Sequence, residues 1–268
     1  MVAAVSGGTD SLALLVLATV AGLDITAVHV DHGLRPGSAA EAEVVRAAAV
    51  RFGARFEAVR VDLEPGPNLE ARARDARRAA LGPGAMTGHT ADDVAETVVL
   101  NLVRGAGLDG LAAIRPGPTK PLLALRRADT RAVCADAGLV PVEDPSNADP
   151  AHRRNRVRHE VLPLLDCVAE RDVAALLART AALVGDDVAL LDDLAAAVDP
   201  TDAGALASAP APLARRAVRH WLATAAPPYP PDAATVERVM DVARGRHRAT
   251  EVGGGRRVAR TAGRLRLE

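Results

Sequence analysis

The chain has 268 residues, of which 49% are hydrophobic and 25% are charged, and its net charge at pH 7 is -1. These values predict a soluble globular protein with one large core or two smaller ones, and they exclude a general basic field for nucleic acid. Cys134 and Cys167 form no Cys-x-x-Cys motif, which excludes an obvious zinc ribbon or redox pair and fits the reducing cytoplasm. The apolar runs are too short to span a bilayer, so we expect neither a signal peptide nor a membrane helix.

The first predicted unit is a strand, a tight loop and a helix. The strand covers residues 2–5, the loop Ser-Gly-Gly-Thr-Asp-Ser runs from Ser6 to Ser11, and an apolar run follows. Adjacent glycines let the backbone approach an oxyanion, and the amides and the positive dipole end of the new helix face it. The unit therefore predicts a phosphate site, although two glycines can also simply separate a strand from a helix. It lacks the lysine of the Gly-x-x-x-x-Gly-Lys-Ser/Thr nucleotide loop.

A second strand is predicted over residues 25–30, and its carboxyl end leads into a loop. Ligands bind at that edge of an open parallel sheet. His32 and Arg35 lie in the loop and are therefore candidates for ligand contact. His29, inside the strand, is more simply interpreted as a histidine of the core.

Further strands and helices alternate along the chain. Residues 41–52 form a predicted helix whose inward face carries Val44, Val45 and Val50, and residues 56–61 form a predicted strand. The helix predicted over residues 68–81 has four arginines, which we interpret as a solvated face. This alternation predicts an α/β fold with a doubly wound, mostly parallel, Rossmann-like sheet.

The segment from Met86 onward predicts another ligand-facing turn. Met86 and Thr87 end a short strand, Gly88 and His89 turn the chain, and Thr90 caps a helix with an apolar stripe of Val94, Val98 and Leu102. Asp93 and Glu96 share one face near the start of this helix. They could act only as a helix cap and as partners of the helix dipole. Their position on the rim of the sheet also allows them to hold Mg²⁺ or a cationic amine.

Arginines become prominent in the second half of the chain. Arg104 adjoins glycines that end the preceding helix, and residues 153–158 contain four arginines, which predicts contact with phosphates or a solvated charge cluster. Residues 166–202 hold nine acids against two arginines and predict one or two helices. Residues 203–268 hold twelve arginines against five acids and end in a predicted β-hairpin. We interpret this end as a small basic domain that could face RNA.

Several of these segments, taken together, resemble the tRNA(Ile)-lysidine synthetases, a family of the N-type ATP pyrophosphatase or PP-loop superfamily. The segments are residues 6–11, 29–35, 88–97, 104–108, 143–147 and 154–158. A looser resemblance runs from Leu213 to Leu267. The family implies a PP-loop catalytic domain at residues 1–160 and a helical linker with a tRNA-binding domain at residues 161–268.

The resemblance implies a two-step ligation. ATP adenylates the wobble cytidine of a tRNA(Ile) with a CAU anticodon, and L-lysine then displaces AMP to give lysidine. The implied nucleotide-binding residues are Ser6, Gly7, Gly8, Thr9, Asp10, Ser11, Val30, His32, Arg35, Gly88 and His89, with Mg²⁺ at Asp10. The implied catalytic residues are Asp10, Asp93, Glu96 and Arg154. Lysine or tRNA would be bound by Asp93, Glu96, Arg104, Arg154 and Arg158, and no stable protein partner is expected.

Two alternatives stay open at this point. A tRNA thiolase of the same superfamily needs reactive cysteines, commonly a Cys-x-x-Cys pair, which this chain lacks. A catalytically impaired nucleotide-binding or tRNA-binding homologue is suggested by short segments before Ser6, between Leu81 and Gly88, and between Ile114 and Pro121.

Overall fold

The computed structural model describes residues 1–31, 38–61, 66, 69–143, 147, 149–225 and 231–268. It divides into two compact units, Met1–Gly185 and Asp186–Glu268. The assignment of a catalytic domain to residues 1–160 and a tRNA-binding part to residues 161–268 stays a prediction. Within the described ranges, no helix has both the length and the apolar character needed to cross a membrane.

The first unit is built on a parallel sheet. Strands β1 (Val2–Ala4), β2 (Thr26–Asp31) and β3 (Arg55–Arg60) pair in the order β1-β2-β3. Met86 pairs in parallel with Ala3 on the other side of β1, with backbone hydrogen bonds of 2.8 and 2.9 Å to Ala4 and Val2. The chain order thus reverses at β1, and the predicted α/β fold is confirmed. Ligands of such sheets bind at this reversal, beyond the carboxyl ends of the strands.

Nine helices and one π-helical turn, Val157–Val161, begin in the described part of the first unit. The helices are α1 (Thr9–Val20), α2 (Ser38–Arg51), α3 (Leu69–Leu81), α4 (Ala91–Val103), α5 (Leu108–Leu111), α6 (Arg127–Asp136), α7 (Arg153–Arg156), α8 (Leu162–Ala169) and α9 (Val173–Ala196). Helix α1 supplies much of the core, because its continuous apolar run from Leu12 to Val16 is buried throughout. This burial fixes the loop that precedes it.

Two predicted core positions are wrong. Val50 is 72% exposed, because the inward face of α2 is formed by Val45, Ala48 and Ala49, and Val50 points about 100° away from Ala49. Leu102 is 61% exposed, because it lies one turn beyond Val98, past the residues that pack on that face of α4. The helical spacing of apolar residues, at intervals of three and four, identified these helices correctly but did not show where their buried stripes end.

The second unit has helices and an antiparallel sheet. Its elements after α9 are α10 (Ala203–Ser208), α11 (Ala211–Ala225), α12 (Ala233–Ala243), β4 (Ala249–Gly253), β5 (Arg256–Thr261) and β6 (Arg264–Leu267). The predicted hairpin is confirmed as β5 and β6, and β4 adds a third strand. Val258 and Leu265 turn into a core with Leu222 and Met240, while the arginines of β5 and β6 are exposed. Tyr229 and the neighbouring prolines Pro227, Pro228 and Pro230 lie outside the described residues.

Candidate functional site

The loop before α1 is closed by its own hydroxyls. The Ser6 N–H donates to Ser11 Oγ at 3.1 Å, and Ser11 Oγ donates to the Gly8 carbonyl at 2.8 Å. Gly7 adopts φ +87, a conformation that favours glycine, and Gly8 is the N-cap of α1. The loop therefore leads directly into the first turn of a buried helix, where backbone amides and the helix dipole favour an anion.

Gly88 lies against this first turn. A Cβ atom at position 88 would lie 2.5 Å from the carbonyl oxygen of Asp10 and 2.7 Å from its carbonyl carbon. The backbone of α1 cannot yield as a flexible side chain would, so position 88 requires glycine for steric reasons. The same contact holds the turn after Met86 beside the loop after β1.

Replacement of Gly88 by alanine is therefore expected to displace the first turn of α1 and to destabilise the fold by about 1–3 kcal/mol through overpacking. Urea unfolding and ATP binding would measure the two effects. The matched control is Gly84→Ala, since a Cβ at position 84 would meet nothing within 4 Å. Equal stability of the two variants would contradict the proposed role of this contact.

A cavity of about 1180 Å³ opens beside the loop, a volume that accommodates a nucleotide. The residues of the predicted site that line it are Ser6, Gly8, Thr9, Asp10, Ser11, Val30, Gly88, Asp93 and Arg158. His32 and Arg35 lie outside the described residues, as do Asp144, Pro145 and Ser146. The roles of the lining residues stay predictions.

Arg104 and Arg154 line a different cavity, of about 780 Å³, together with Thr97, Asn101, His152 and Arg153.

His29 is 3% exposed, and its Nδ1 lies 3.0 Å from the Val5 carbonyl oxygen. Because a carbonyl only accepts, Nδ1 carries the proton, and His29 is a core residue that ties β2 to the end of β1. Arg77, on the α3 face interpreted as solvated, is exposed and also lines the larger cavity.

Three acids and three arginines meet at the start of α4. The acids are Asp10, Asp93 and Glu96, and the arginines are Arg127, Arg154 and Arg158. Arg127 contacts all three acids, with Nη2 at 3.0 Å from Asp93 Oδ1, Nη1 at 3.0 Å from Glu96 Oε1 and Nε at 3.4 Å from Asp10 Oδ2. The formal charges of this cluster cancel.

Glu96 is the centre of the charged cluster. Its side chain is fully buried and accepts four hydrogen bonds, from Arg127 at 3.0 Å, Arg154 at 2.6 Å and Arg158 at 2.7 and 3.3 Å. Burial alone would raise the pKa of this carboxyl, but the hydrogen bond from Arg158 and the charge of Arg127 lower the pKa below its ordinary value. Four bonds fill the acceptor positions of a carboxylate, so a further cation must replace one of these partners.

Asp93 fits both interpretations of the helix start. Its Oδ2 accepts from the Thr90 N–H at 2.9 Å and completes a capping box, while Oδ1 accepts from Arg127 and Arg154 at 3.0 and 3.1 Å. The cap thus orients one oxygen and leaves the other for cations. Structural capping and a charged site are compatible in the same side chain.

Asp10 bridges the phosphate loop and the charged cluster. Its Oδ1 accepts from Thr130 Oγ1 at 2.5 Å, and Oδ2 faces Arg127. Among the residues that the structure describes, no group of three His, Cys, Asp or Glu side chains could hold a metal ion. A single carboxylate fits Mg²⁺, however, because this ion commonly takes one or two carboxylates and completes its coordination with substrate phosphates and water.

The sequence reasoning missed Asp92, Arg126, Arg127 and Thr130. Arg126 holds Asp92 with two hydrogen bonds, of 3.0 and 2.9 Å, and thereby joins the start of α6 to the start of α4. The pKa of Asp92, which burial would raise, is lowered by this pairing. Two consecutive arginines at a helix N-terminus oppose the helix dipole. This unfavourable position was the signal that nearby acids must hold them.

Comparison with known proteins gives five findings. A PP-loop domain model matches residues 1–165, and a model described as the TilS substrate binding domain matches residues 202–266. A tRNA(Ile)-lysidine synthase of Nocardia farcinica is 46% identical over an alignment of 287 positions, which covers 98% of this chain and 90% of the relative. One of Mycolicibacterium paratuberculosis is 47% identical, covering 82% and 73%. The U34-tRNA thiolase NcsA of Methanococcus maripaludis has a similar fold, with a TM-score of 0.54 and 18% identity, covering 67% of this chain and 70% of NcsA.

Proposed function

The chain belongs to the tRNA(Ile)-lysidine synthase family, and from this premise we propose that it joins L-lysine to the wobble cytidine of a tRNA(Ile) with a CAU anticodon. Use of ATP follows from the PP-loop domain, and binding of tRNA from the substrate-binding domain. The relatives favour this reaction over a thiolase. In addition, the two cysteines form no Cys-x-x-Cys pair, and Cys134 is buried.

One observation carries the proposal: the loop of residues 6–11 and Gly88 border the same cavity as four members of the charged cluster, Asp10, Asp93, Arg127 and Arg158. Amides at the start of α1 and the loop hydroxyls would bind the β and γ phosphates of ATP. Asp10 would hold Mg²⁺, which would balance phosphate charge. The carbonyl oxygen of the cytosine then forms a bond to the α-phosphorus as the bond to diphosphate breaks, and the loop stabilises the departing charge.

Lysine binding would proceed by exchange of cations. Asp93 Oδ1 and Glu96 Oε1 both contact Arg127, so an ammonium group of lysine could replace this guanidinium between them. Arg154 and Arg158 would stay on Glu96 and keep its charge compensated. The lysine amine, after losing a proton to a carboxylate or to water, attacks the activated ring carbon, and AMP leaves.

The remaining arginines are placed where they could contact phosphates of the tRNA or of the nucleotide. Arg104 is exposed beside Arg153 in the smaller cavity. Neither forms a salt bridge with an acid among the described residues, so both can contact phosphates without breaking such a pair. Arg158 lines the larger cavity and could contact the nucleotide while it holds Glu96. In the second unit, the strands β5 and β6 carry Arg256, Arg257, Arg260, Arg264 and Arg266, and a row of cations favours a phosphate backbone.

The decisive experiment incubates the full chain with ATP, L-lysine and a CAU-anticodon tRNA transcript and measures AMP release and lysine incorporation. We expect AMP release and lysine incorporation in the complete mixture with lysine, and neither when tRNA is left out. Asp10→Ala is expected to reduce the rate by at least about 100-fold, because the loop loses its charge-ordering carboxylate. Asp24→Ala, which removes an exposed partner of Arg55, should leave the rate unchanged. Binding of tRNA without turnover would instead favour an impaired homologue.

A further inference from the structure

The arginines of the second unit differ in whether an acid holds them. Arg257 pairs with Glu268 at 2.8 Å, and Arg264 pairs with Asp199 at 2.9 Å and with Asp202 at 3.5 Å. These ion pairs tie β5 and β6 to neighbouring parts of the chain. An arginine held in this way can bind a phosphate only by leaving its acid or by sharing it.

Arg248 and Arg260 have the opposite arrangement. The Arg260 N–H donates to the Arg248 carbonyl at 2.9 Å, which continues by one position the antiparallel register of Ala249 with Ala259. Side chains directly opposite each other in such a pair lie on the same side, with Cβ atoms about 4.5–5.5 Å apart. Two positive side chains are therefore neighbours, and like charges in this position destabilise a sheet.

No acid compensates this pair within the described part of the chain. The side chains of Arg248 and Arg260 are exposed, and neither forms an ion pair or a hydrogen bond with a described residue. Nearby in the sequence, Arg244 and Arg246 share Asp241, at 3.6 and 3.0 Å. The four arginines and the one acid therefore have a net formal charge of +3.

The end of α12 explains only part of this charge. The dipole of a helix favours a cation at its C-terminus. Arg260 occupies that position, because its Nη1 lies 2.8 Å from the place that a Cβ of Gly245 would take, just after the helix end. One cation satisfies the dipole, whereas a second one opposite it adds repulsion. An arrangement that opposes stability in this way is expected where a ligand binds.

We propose that Arg248 and Arg260 together bind a phosphate group of the tRNA backbone. Neighbouring guanidinium groups can each donate paired N–H bonds to phosphate oxygens. Both residues lie within residues 202–266, which match the substrate-binding domain. The inference rests on the proposed function for the identity of the RNA. A backbone phosphate is the same in every tRNA, so this contact contributes affinity and not selection between sequences.

The test measures the Kd of the full chain for a CAU-anticodon tRNA(Ile) transcript and for a second tRNA, at several salt concentrations. One phosphate contact contributes about 0.7–0.9 to the slope of log K against log salt. The double variant Arg248→Gln, Arg260→Gln should lower the slope by about this amount. It should also weaken the binding of both tRNAs equally, by about fivefold at physiological salt.

The matched control is the double variant Arg215→Gln, Arg238→Gln. It also removes two positive charges from the second unit, but these arginines already have partners, Glu237 and the Thr235 hydroxyl. We expect less than about a twofold change in its Kd. Equal Kd values and slopes for the two double variants would overturn the inference, as would a loss of affinity for only one of the two tRNAs.

A separate measurement excludes a structural role. Because Arg248→Gln removes a repulsion between like charges, its Tm should equal or exceed that of the unchanged protein. A lower Tm would show that the pair supports the fold, and the inference would be wrong. Binding is measured without ATP and lysine. A chain that binds tRNA through this pair but incorporates no lysine would therefore refute the proposed reaction and leave the phosphate site intact.

Discussion

Glu96→Gln is expected to destabilise the first unit by about 3–5 kcal/mol, because it removes the charge at the centre of a fully buried cluster. Asp10 and Asp93 would then face three arginines, with a net formal charge of +1. The new amide would also direct donors at guanidinium groups that can only donate. The midpoint of urea unfolding would measure the loss.

The dependence of this stability on pH has a defined sign. The pKa of Glu96 is lowered in the folded protein, since the hydrogen bond from Arg158 and the charge of Arg127 outweigh the effect of burial. The contribution of Glu96 is therefore complete above its pKa in the unfolded chain and is lost as pH falls through its pKa in the folded protein. Glu96→Gln should lack this part of the acid sensitivity.

Glu160→Gln is the matched control, because Glu160 is an exposed carboxylate that pairs with Arg156 four residues earlier. Exposed pairs of this kind contribute little, and we expect no measurable change in the unfolding midpoint. If Glu96→Gln unfolded at the same urea concentration as Glu160→Gln, the buried cluster would not have the central role given to it.

The fold was largely predictable because its signals are local. The apolar run after Ser11, the glycines of the loop and the cap at Thr90 each determine a strand, turn or helix from adjacent residues. Strand β6 follows from the alternation of arginine and leucine over residues 264–267. The errors at Val50 and Leu102 arose because the end of a buried stripe depends on which element packs against it, and that element lies far away in the sequence.

The site was less predictable, because its charges come from distant segments. Asp93 and Glu96 were recognised from their motif, but their partner Arg127 lies more than thirty residues later and belongs to no predicted motif. Arg154 and Arg158 were predicted to meet phosphates, yet both are held by Glu96 in the structure. Spacing along one helix identifies which side chains share a face, whereas charge pairing between helices requires the fold.

Arg127→Gln is expected to strengthen lysine binding about tenfold, because it removes an internal cation that competes for the same carboxylates. Arg127 is strongly held: burial would lower its pKa, but the charges of Asp93 and Glu96 raise the pKa well above its ordinary value. Without it, Asp10, Asp93 and Glu96 share two arginines, and the cluster has a net formal charge of -1. An added ammonium can then restore the balance.

This exchange predicts a distinctive pattern in two measurements on the full chain. In the absence of lysine, the Tm of Arg127→Gln should fall below that of the unchanged protein, since the acids lose a shared partner. Added lysine should raise the Tm of the variant more than that of the unchanged protein, and the KM for lysine should fall while the KM for ATP changes little. Arg156→Gln, which removes an exposed arginine on α7, controls for the loss of a positive charge. Weaker lysine binding in Arg127→Gln would show that this arginine assists binding of the substrate instead of occupying its position between the carboxylates. The proposed cation exchange would then be wrong.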